Sequence, residues 1–264
     1  MTAQHVLDGR PLDAHVRRMA NKVPEVTIYF WIVKVLTTGM GETASDVLAR
    51  TLGPVPAVAL GGLALVASLA VQFTLRRYVA WAYWTAVVMV SVFGTMAADV
   101  LHVGLGVPYA VSTPAFLAVL AAVFMLWYAS ERTLSIHSIQ MRRREAFYWA
   151  AVLATFALGT AAGDLTATVG FGYLGSVVLF AAGICVPAVA HRLGALSAVT
   201  AFWTAYVITR PLGASLADWM ALGHARGGLG LGLAPVTLAW TVTIIGFVGY
   251  MAMTQRDTGA RTAA

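Results

Sequence analysis

The apolar positions of this chain run in long stretches separated by short polar connections, and their length predicts helices that cross a lipid bilayer. Val55–Val71, Phe116–Tyr128 and Val236–Met253 are examples. A spanning helix needs about 20 mostly apolar residues. The pattern divides into eight such spans, near 25–48, 55–75, 79–101, 113–139, 146–167, 173–192, 199–221 and 233–254.

One frame recurs four times inside this pattern: an aromatic pair ending in Trp, then Gly, a small residue and Asp at fixed offsets. The copies are Phe30-Trp31/Gly41/Ser45/Asp46, Tyr83-Trp84/Gly94/Ala98/Asp99, Tyr148-Trp149/Gly159/Gly163/Asp164 and Phe202-Trp203/Gly213/Ala217/Asp218. The offset from Trp to Asp is the same in every copy, whereas the offset from one Trp to the next varies. Constant spacing inside the frame with variable spacing outside it marks one structural unit copied four times. Each copy reads as two spans. The organisation predicted is an arm over 1–24, repeats over 25–77, 78–143, 144–197 and 198–254, and a tail over 255–264. The fold class is an all-α integral membrane protein of eight transmembrane helices. With an even number of spans per repeat, the four hairpins all point the same way, in a pseudo-fourfold or nested twofold arrangement about the membrane normal.

Composition excludes an ordinary soluble domain: 59 % of residues are apolar, 11 % are charged, and the mean hydropathy is +0.78. The net charge of +6 does not point to nucleic acid, because its placement accounts for it. Arg76-Arg77, Arg142-Arg143-Arg144 and Arg192 lie between repeats, with Arg10, Arg17, Arg18, Lys22, Arg256 and Arg261 in the arm and tail. The opposite connections hold only Arg50 and Arg226, so the positive-inside bias puts both termini in the cytoplasm. The opening segment, 1–22, is polar, without the apolar core of a cleavable signal peptide, and reads as a cytoplasmic arm or an interfacial helix. A single cysteine, Cys185, allows no intrachain disulfide.

The frame carries the candidate chemistry. On a helix, the Trp-to-Asp offset brings Asp back to within about 60° of its Trp and roughly 22 Å further along. The Trps then lie near the cytoplasmic interface and the Asps in the outer half of the membrane. The Gly and the small residue four positions later form a pair that lets helix backbones approach closely. An ionisable group in an apolar span is a functional-site candidate by default. Asp46, Asp99, Asp164 and Asp218 are therefore either a cation or proton site facing the repeat axis, or packing devices bonded to a neighbouring indole or backbone.

Departures from the fourfold symmetry add detail. Repeat 1 carries Lys34, Thr38 and Glu42 at four-residue steps before Asp46, and repeat 4 carries Arg210 eight residues before Asp218. A buried cation needs a carboxylate partner, so Lys34 and Arg210 are expected to be charge-paired, either as structural ion pairs (Lys34–Glu42, Arg210–Asp218) or as gates that a substrate cation displaces. His102 follows Asp99 by one turn, a D-x-x-H spacing. A second periodic position, twelve residues before the next Trp, holds Gln72, His137 and His191, with Glu131 opening the polar run to His137. These histidines with Glu131 could relay protons or ligate a metal, or simply mark the interface. The chain has no P-loop, H-E-x-x-H, C-x-x-C or G-x-S-x-G, so no catalytic residue and no cofactor is expected. Gly227–Gly232 reads as a flexible outer loop.

The fourfold frame, the opening Lys22-Val23-Pro24-Glu25-Val26-Thr27, and Ser135-Ile136-His137-Ser138-Ile139 leading to Arg143-Arg144-Glu145-Ala146-Phe147-Tyr148-Trp149 resemble a bacterial family. It is that of uncharacterised membrane-anchored proteins built from four tandem two-helix repeats of unknown function. The resemblance spans about residues 20–256 and implies eight spans in the bacterial inner membrane. Repeat 4 departs most, lacking a counterpart of Gln72, His137 and His191, and no activity is implied.

The residues then favour a transporter of a small cation, proton-coupled, with Mn²⁺ or Mg²⁺ as hard divalent options. Its partners are the lipid bilayer and that cation, and homo-oligomerisation is left open. Five acidic residues (Glu42 and the four Asps) outnumber Lys34 and Arg210, leaving a net negative interior. The alternatives are a non-transporting scaffold or sensor module with structural Asp/Trp pairs, and an intramembrane enzyme using His137 or Glu131.

Overall fold

The computed structural model describes residues 21–257. They form eight α-helices: α1 Ile28–Leu52, α2 Pro54–Thr74, α3 Ala80–Asp99, α4 Tyr109–Glu131, α5 Arg142–Thr166, α6 Gly172–Arg192, α7 Ala198–Ala221 and α8 Leu233–Thr254. Among the described residues there is no strand. Each repeat supplies two helices, and the reversals between them follow from local chemistry. Gly53 turns the chain at φ 85° and Pro54 opens α2, where its missing N–H costs nothing. After Asp99 and Asp164 the helix widens into π-helical turns, Val100–Gly104 and Ala167–Phe171. The second of these breaks at Gly170, φ 116°.

Closure of the fold is cyclic. The first helices of the repeats, α1, α3, α5 and α7, pack side by side in that order, and α7 returns to α1. The second helices form an outer layer, each packed mainly on the first helix of the next repeat: α2 on α3, α4 on α5, α6 on α7, and α8 back on α1. The repeated glycine makes this ring possible. A Cβ on Gly41 would strike Ser91, one on Gly94 would lie 2.6 Å from Phe156 Cβ, one on Gly159 would strike Arg210, and one on Gly213 would strike Thr38. Each glycine thus receives the residue seven positions after the next repeat's Trp, and the fourth receives that of the first. The small residue four positions later is buried in every repeat as well.

The outer layer turns apolar side chains outward, including Leu63 and Val66 of α2, Met125 of α4, Val186 of α6 and Leu238 of α8. Five helical stretches are long and apolar enough to cross a membrane: Pro54–Thr74, Ala80–His102, Tyr109–Glu131, Arg142–Arg192 (which holds both α5 and α6) and Leu233–Thr254. A multi-pass membrane protein fits these helices. α1 and α7 fall outside the set, and they carry Lys34, Glu42 and Arg210, all buried inside the ring rather than turned outward.

Two expectations need correction. The span drawn over 113–139 ends at Glu131, where Arg132 takes a left-handed conformation (φ 55°) and its N–H bonds the Tyr128 carbonyl. His137 consequently sits in a 3₁₀ turn over Ile136–Ser138 and not on a helix. The glycine-rich connection is an ordered cap rather than a flexible loop. The N–H groups of Leu229, Leu231, Gly232 and Gly230 bond the carbonyls of Trp219, Met220, Ala221 and Leu222, at the end of α7 where carbonyls lack helical partners. Its glycines are needed because Gly227, Gly230 and Gly232 have positive φ, and a side chain on Gly228 would strike the Leu222 carbonyl. The arm residues Arg10, Arg17 and Arg18 and the tail residue Arg261 lie outside the described residues.

Candidate functional site

The ring places equivalent residues in layers along its axis, three, seven, eleven and fifteen positions after each Trp. The end holding the Trps is closed by aromatics. Phe30, Tyr83, Tyr148 and Trp203 are buried there, with the Tyr83 and Tyr148 hydroxyls 2.5 Å apart. The indole of Trp203 donates to the Leu134 carbonyl at 2.9 Å, and no indole bonds a frame Asp among the described residues. The Asp/Trp pairs of the scaffold reading are therefore not formed, because the two residues stand at opposite ends of the helix that carries them.

The first layer holds Lys34, Val87, Val152 and Tyr206, all buried. The Lys34 ammonium, in a residue 1 % exposed, has no hydrogen-bond partner among the described residues and lies 4.0 Å from the ring centres of both Phe156 and Tyr206. The carboxylate partner expected for Lys34 is not there, since the nearby acid, Glu42, is taken by Arg210. The aromatic faces attract the ammonium instead. Phe156, in the next layer, also lies 5.0 Å from the Arg210 guanidinium, so one ring stands between the Lys34 and Arg210 head groups.

The charge layer follows. Arg210, fully buried, pairs through Nη2 with Glu42 Oε2 at 2.8 Å, and not with Asp218 of its own helix. The same nitrogen donates to the hydroxyls of Thr95 and of Thr160 (2.7 Å), while Nη1 donates to the Thr38 carbonyl at 3.2 Å. Both hydroxyls in turn donate to Glu42, at 3.4 and 3.3 Å. All four repeats meet here, with the acid from repeat 1, the base from repeat 4 and hydroxyls from repeats 2 and 3. Thr95 and Thr160 were not singled out from sequence, although counting eleven positions from each Trp, the offset of Glu42, lands on them.

The last layer is the four Asps. Asp99, Asp164 and Asp218 are each within electrostatic range of Glu42 and Asp46, which gathers the acids at one end of the ring. Asp218 is buried and the other three are half-buried. Their partners differ. Asp46 meets Arg50 at 3.4 Å in an exposed pair, and Asp164 stands beside the Tyr109 hydroxyl. Among the described residues the carboxylates of Asp99 and Asp218 have no hydrogen bond and no ion pair.

The remaining candidates lie apart from the axis. His102 bonds the Val107 carbonyl (2.9 Å) and the Ser112 hydroxyl (3.2 Å) and packs its ring against Tyr109 at a tilt, so it pins the start of α4 rather than pairing with Asp99. Glu131 pairs with Arg144 at 2.8 Å and Arg143 at 3.2 Å. His137 lies 3.5 Å from Glu25, and His191 bonds the Leu196 carbonyl at 3.0 Å, both at the Trp end. Gln72 instead meets Glu145, which also takes the buried Lys22 ammonium at 2.6 Å. Among the described residues no three His, Cys, Asp or Glu side chains are grouped so as to hold a metal ion.

The layered ring is four copies of one unit, and comparison with known families finds the same four copies. A family model described as Repeat of Unknown Function (DUF347) matches residues 29–78, 82–133, 147–193 and 201–257. The chain belongs to this family. No curated protein and no solved structure matches it. Each DUF347 match begins just before a frame Trp and ends shortly beyond the close of the repeat's second helix. The family unit is thus the two-helix hairpin that contributes one residue to every layer.

Proposed function

We propose that the protein moves protons, or a monovalent cation coupled to protons, across the bacterial inner membrane through the carboxylates of the central ring. All eight helices would span the bilayer, with both termini cytoplasmic and the Asp layer facing outward. The observation that carries this reading is the Asp layer itself. Four equivalent carboxylates gather at one end of the axis, and two of them, Asp99 and Asp218, have no bonding partner among the described residues. A packing device works by bonding its carboxylates to neighbouring helices, and these two bond none among the described residues. With no three-ligand group among the described residues, a proton or a monovalent ion suits the layer better than a chelated Mn²⁺ or Mg²⁺.

The axis below is filled, so the path is a relay and not an open pore. An ion or proton taken up by the Asps would next meet Glu42, held by Arg210. Protonating Glu42 would weaken that pair and release the guanidinium to the hydroxyls of Thr95 and Thr160. The filled axis also suits a scaffold whose polar core holds the repeats in register. Proteoliposomes carrying an internal pH dye, screened with outward and inward gradients of H⁺, Na⁺, K⁺, Mg²⁺ and Mn²⁺, decide between them. Protein-dependent proton movement with one of these ions supports transport, and rates equal to protein-free vesicles for every ion leave the scaffold.

A further inference from the structure

A cavity of about 600 Å³ lies away from the Asp layer, toward the Trp end between α1, α6 and α7. Its size is that of a small-molecule site. Trp31, Val35, Phe202 and Ala205 form apolar walls, Thr209 lies deep, and Ser135, His137 and His191 supply the polar end. Along α7 the lining runs from Ala198 to Thr209, about 16 Å of helix. The cavity is therefore elongated, apolar along its length and polar at one end, the shape of a single-chain amphiphile.

The polar end selects the head group. His191 Nδ1 faces a carbonyl oxygen, which only accepts, so the neutral ring carries its proton on Nδ1 and in that form presents Nε2 as an acceptor. His137 Nε2 faces the Glu25 carboxylate at 3.5 Å, so the neutral ring carries its proton there and in that form presents Nδ1 as an acceptor. Among the described residues no lysine or arginine lines the cavity. The rim presents the two imidazoles, with the Glu25 carboxylate outside the lining behind His137, and the Trp31 and Phe202 rings, 5.8 Å apart, offer faces to a cation.

We propose that this cavity binds an alkylammonium amphiphile, with the ammonium at His137, His191 and Glu25 and the chain along α7 toward Thr209. The site does not depend on the Asp layer. It touches the charge layer at its deep end, where the Thr209 carbonyl accepts a hydrogen bond from Thr38 at 3.4 Å.

The test uses the full chain in phosphatidylcholine nanodiscs, with thermal unfolding followed in octylammonium, 1-octanol and octanoate, each below its micelle-forming concentration. Octylammonium should raise the unfolding temperature saturably, while the alcohol and the acid should leave it unchanged. Ala205→Phe, which fills the cavity, should abolish the shift. Should that variant fail to fold, His191→Arg at the exposed rim should remove the response to octylammonium and create one to octanoate. An equal shift with all three probes would mean the cavity takes any chain, and a shift surviving in Ala205→Phe would place binding elsewhere. Either result overturns the proposal.

Discussion

Arg210→Met removes the cation that pairs with Glu42 and keeps most of the side chain's apolar volume, so Gly159 and Phe156 retain a neighbour. What is lost is the 2.8 Å ion pair and the donors to Thr95, Thr160 and the Thr38 carbonyl. Glu42 is left buried with two hydroxyl donors at 3.3 and 3.4 Å. Removing one member of a buried pair costs about 3–5 kcal/mol, most of it the penalty of the stranded charge. Glu42→Gln alone strands the guanidinium and should cost a similar amount. The double variant strands neither, because the amide carbonyl introduced by Glu42→Gln still accepts from both threonines, so the coupling between the two changes should approach about 3 kcal/mol. Unfolding of the detergent-solubilised protein by SDS titration, followed by circular dichroism, measures all four corners of the cycle. Losses that simply add in the double variant, or an Arg210→Met protein as stable as wild type, would show that the charge layer does not hold the four repeats together.

Three further outcomes follow from the geometry. Gly41→Ala would bring its Cβ within 2.9 Å of the Ser91 backbone carbon, which cannot rotate away, and should destabilise by about 1–3 kcal/mol. Gly246→Ala, with nothing within 4 Å, should be neutral or stabilising in the same SDS titration, and equal losses in both would remove the ring-closure role of the repeated glycine. Lys34→Met replaces an ammonium held by aromatic neighbours, so it should leave stability unchanged or raise it by up to about 4 kcal/mol, whereas a large loss would mean that the two ring contacts outweigh the desolvated charge. Tyr78→Phe, in the α2–α3 connection, deletes a 2.5 Å hydrogen bond to Asp257 and should cost about 1.5–3 kcal/mol. Burial and the Asp257 charge raise the Tyr78 phenol above its ordinary value. Its contribution should then be constant from about pH 6 to about pH 10 and shrink at higher pH, and a gap between variant and wild type that closes between about pH 9 and about pH 6 would contradict this.

Much of the architecture was legible because the ring needs the same residue types at the same offsets in every repeat. The Gly and small residue in each frame declared close helix approach, and the long apolar runs marked the outer helices. Three features were not legible, each for a physical reason. The partner of Arg210 is Glu42, 168 residues away, and that pairing exists only because α7 closes on α1. Sequence spacing offers the pair within one helix instead, Arg210 with Asp218. Lys34 lacks a carboxylate since aromatic faces, invisible to a count of charges, surround it. His102 looked like a ligand beside Asp99 until the π-helical turn carried its ring onto Tyr109 and Ser112. The glycine-rich connection failed in the opposite direction, where composition suggested looseness and the carbonyls ending α7 imposed order.

Asp99 tests the central claim most directly, since its carboxylate has no bonding partner among the described residues and its loss breaks no described hydrogen bond or ion pair. Asp99→Asn, reconstituted beside wild type in proteoliposomes with an internal pH dye, should be inserted at the same level and melt at the same temperature while its cation-coupled proton movement falls to that of empty vesicles. Full proton movement in the variant would contradict the account. A matching collapse of folding would return the Asp layer to a structural role.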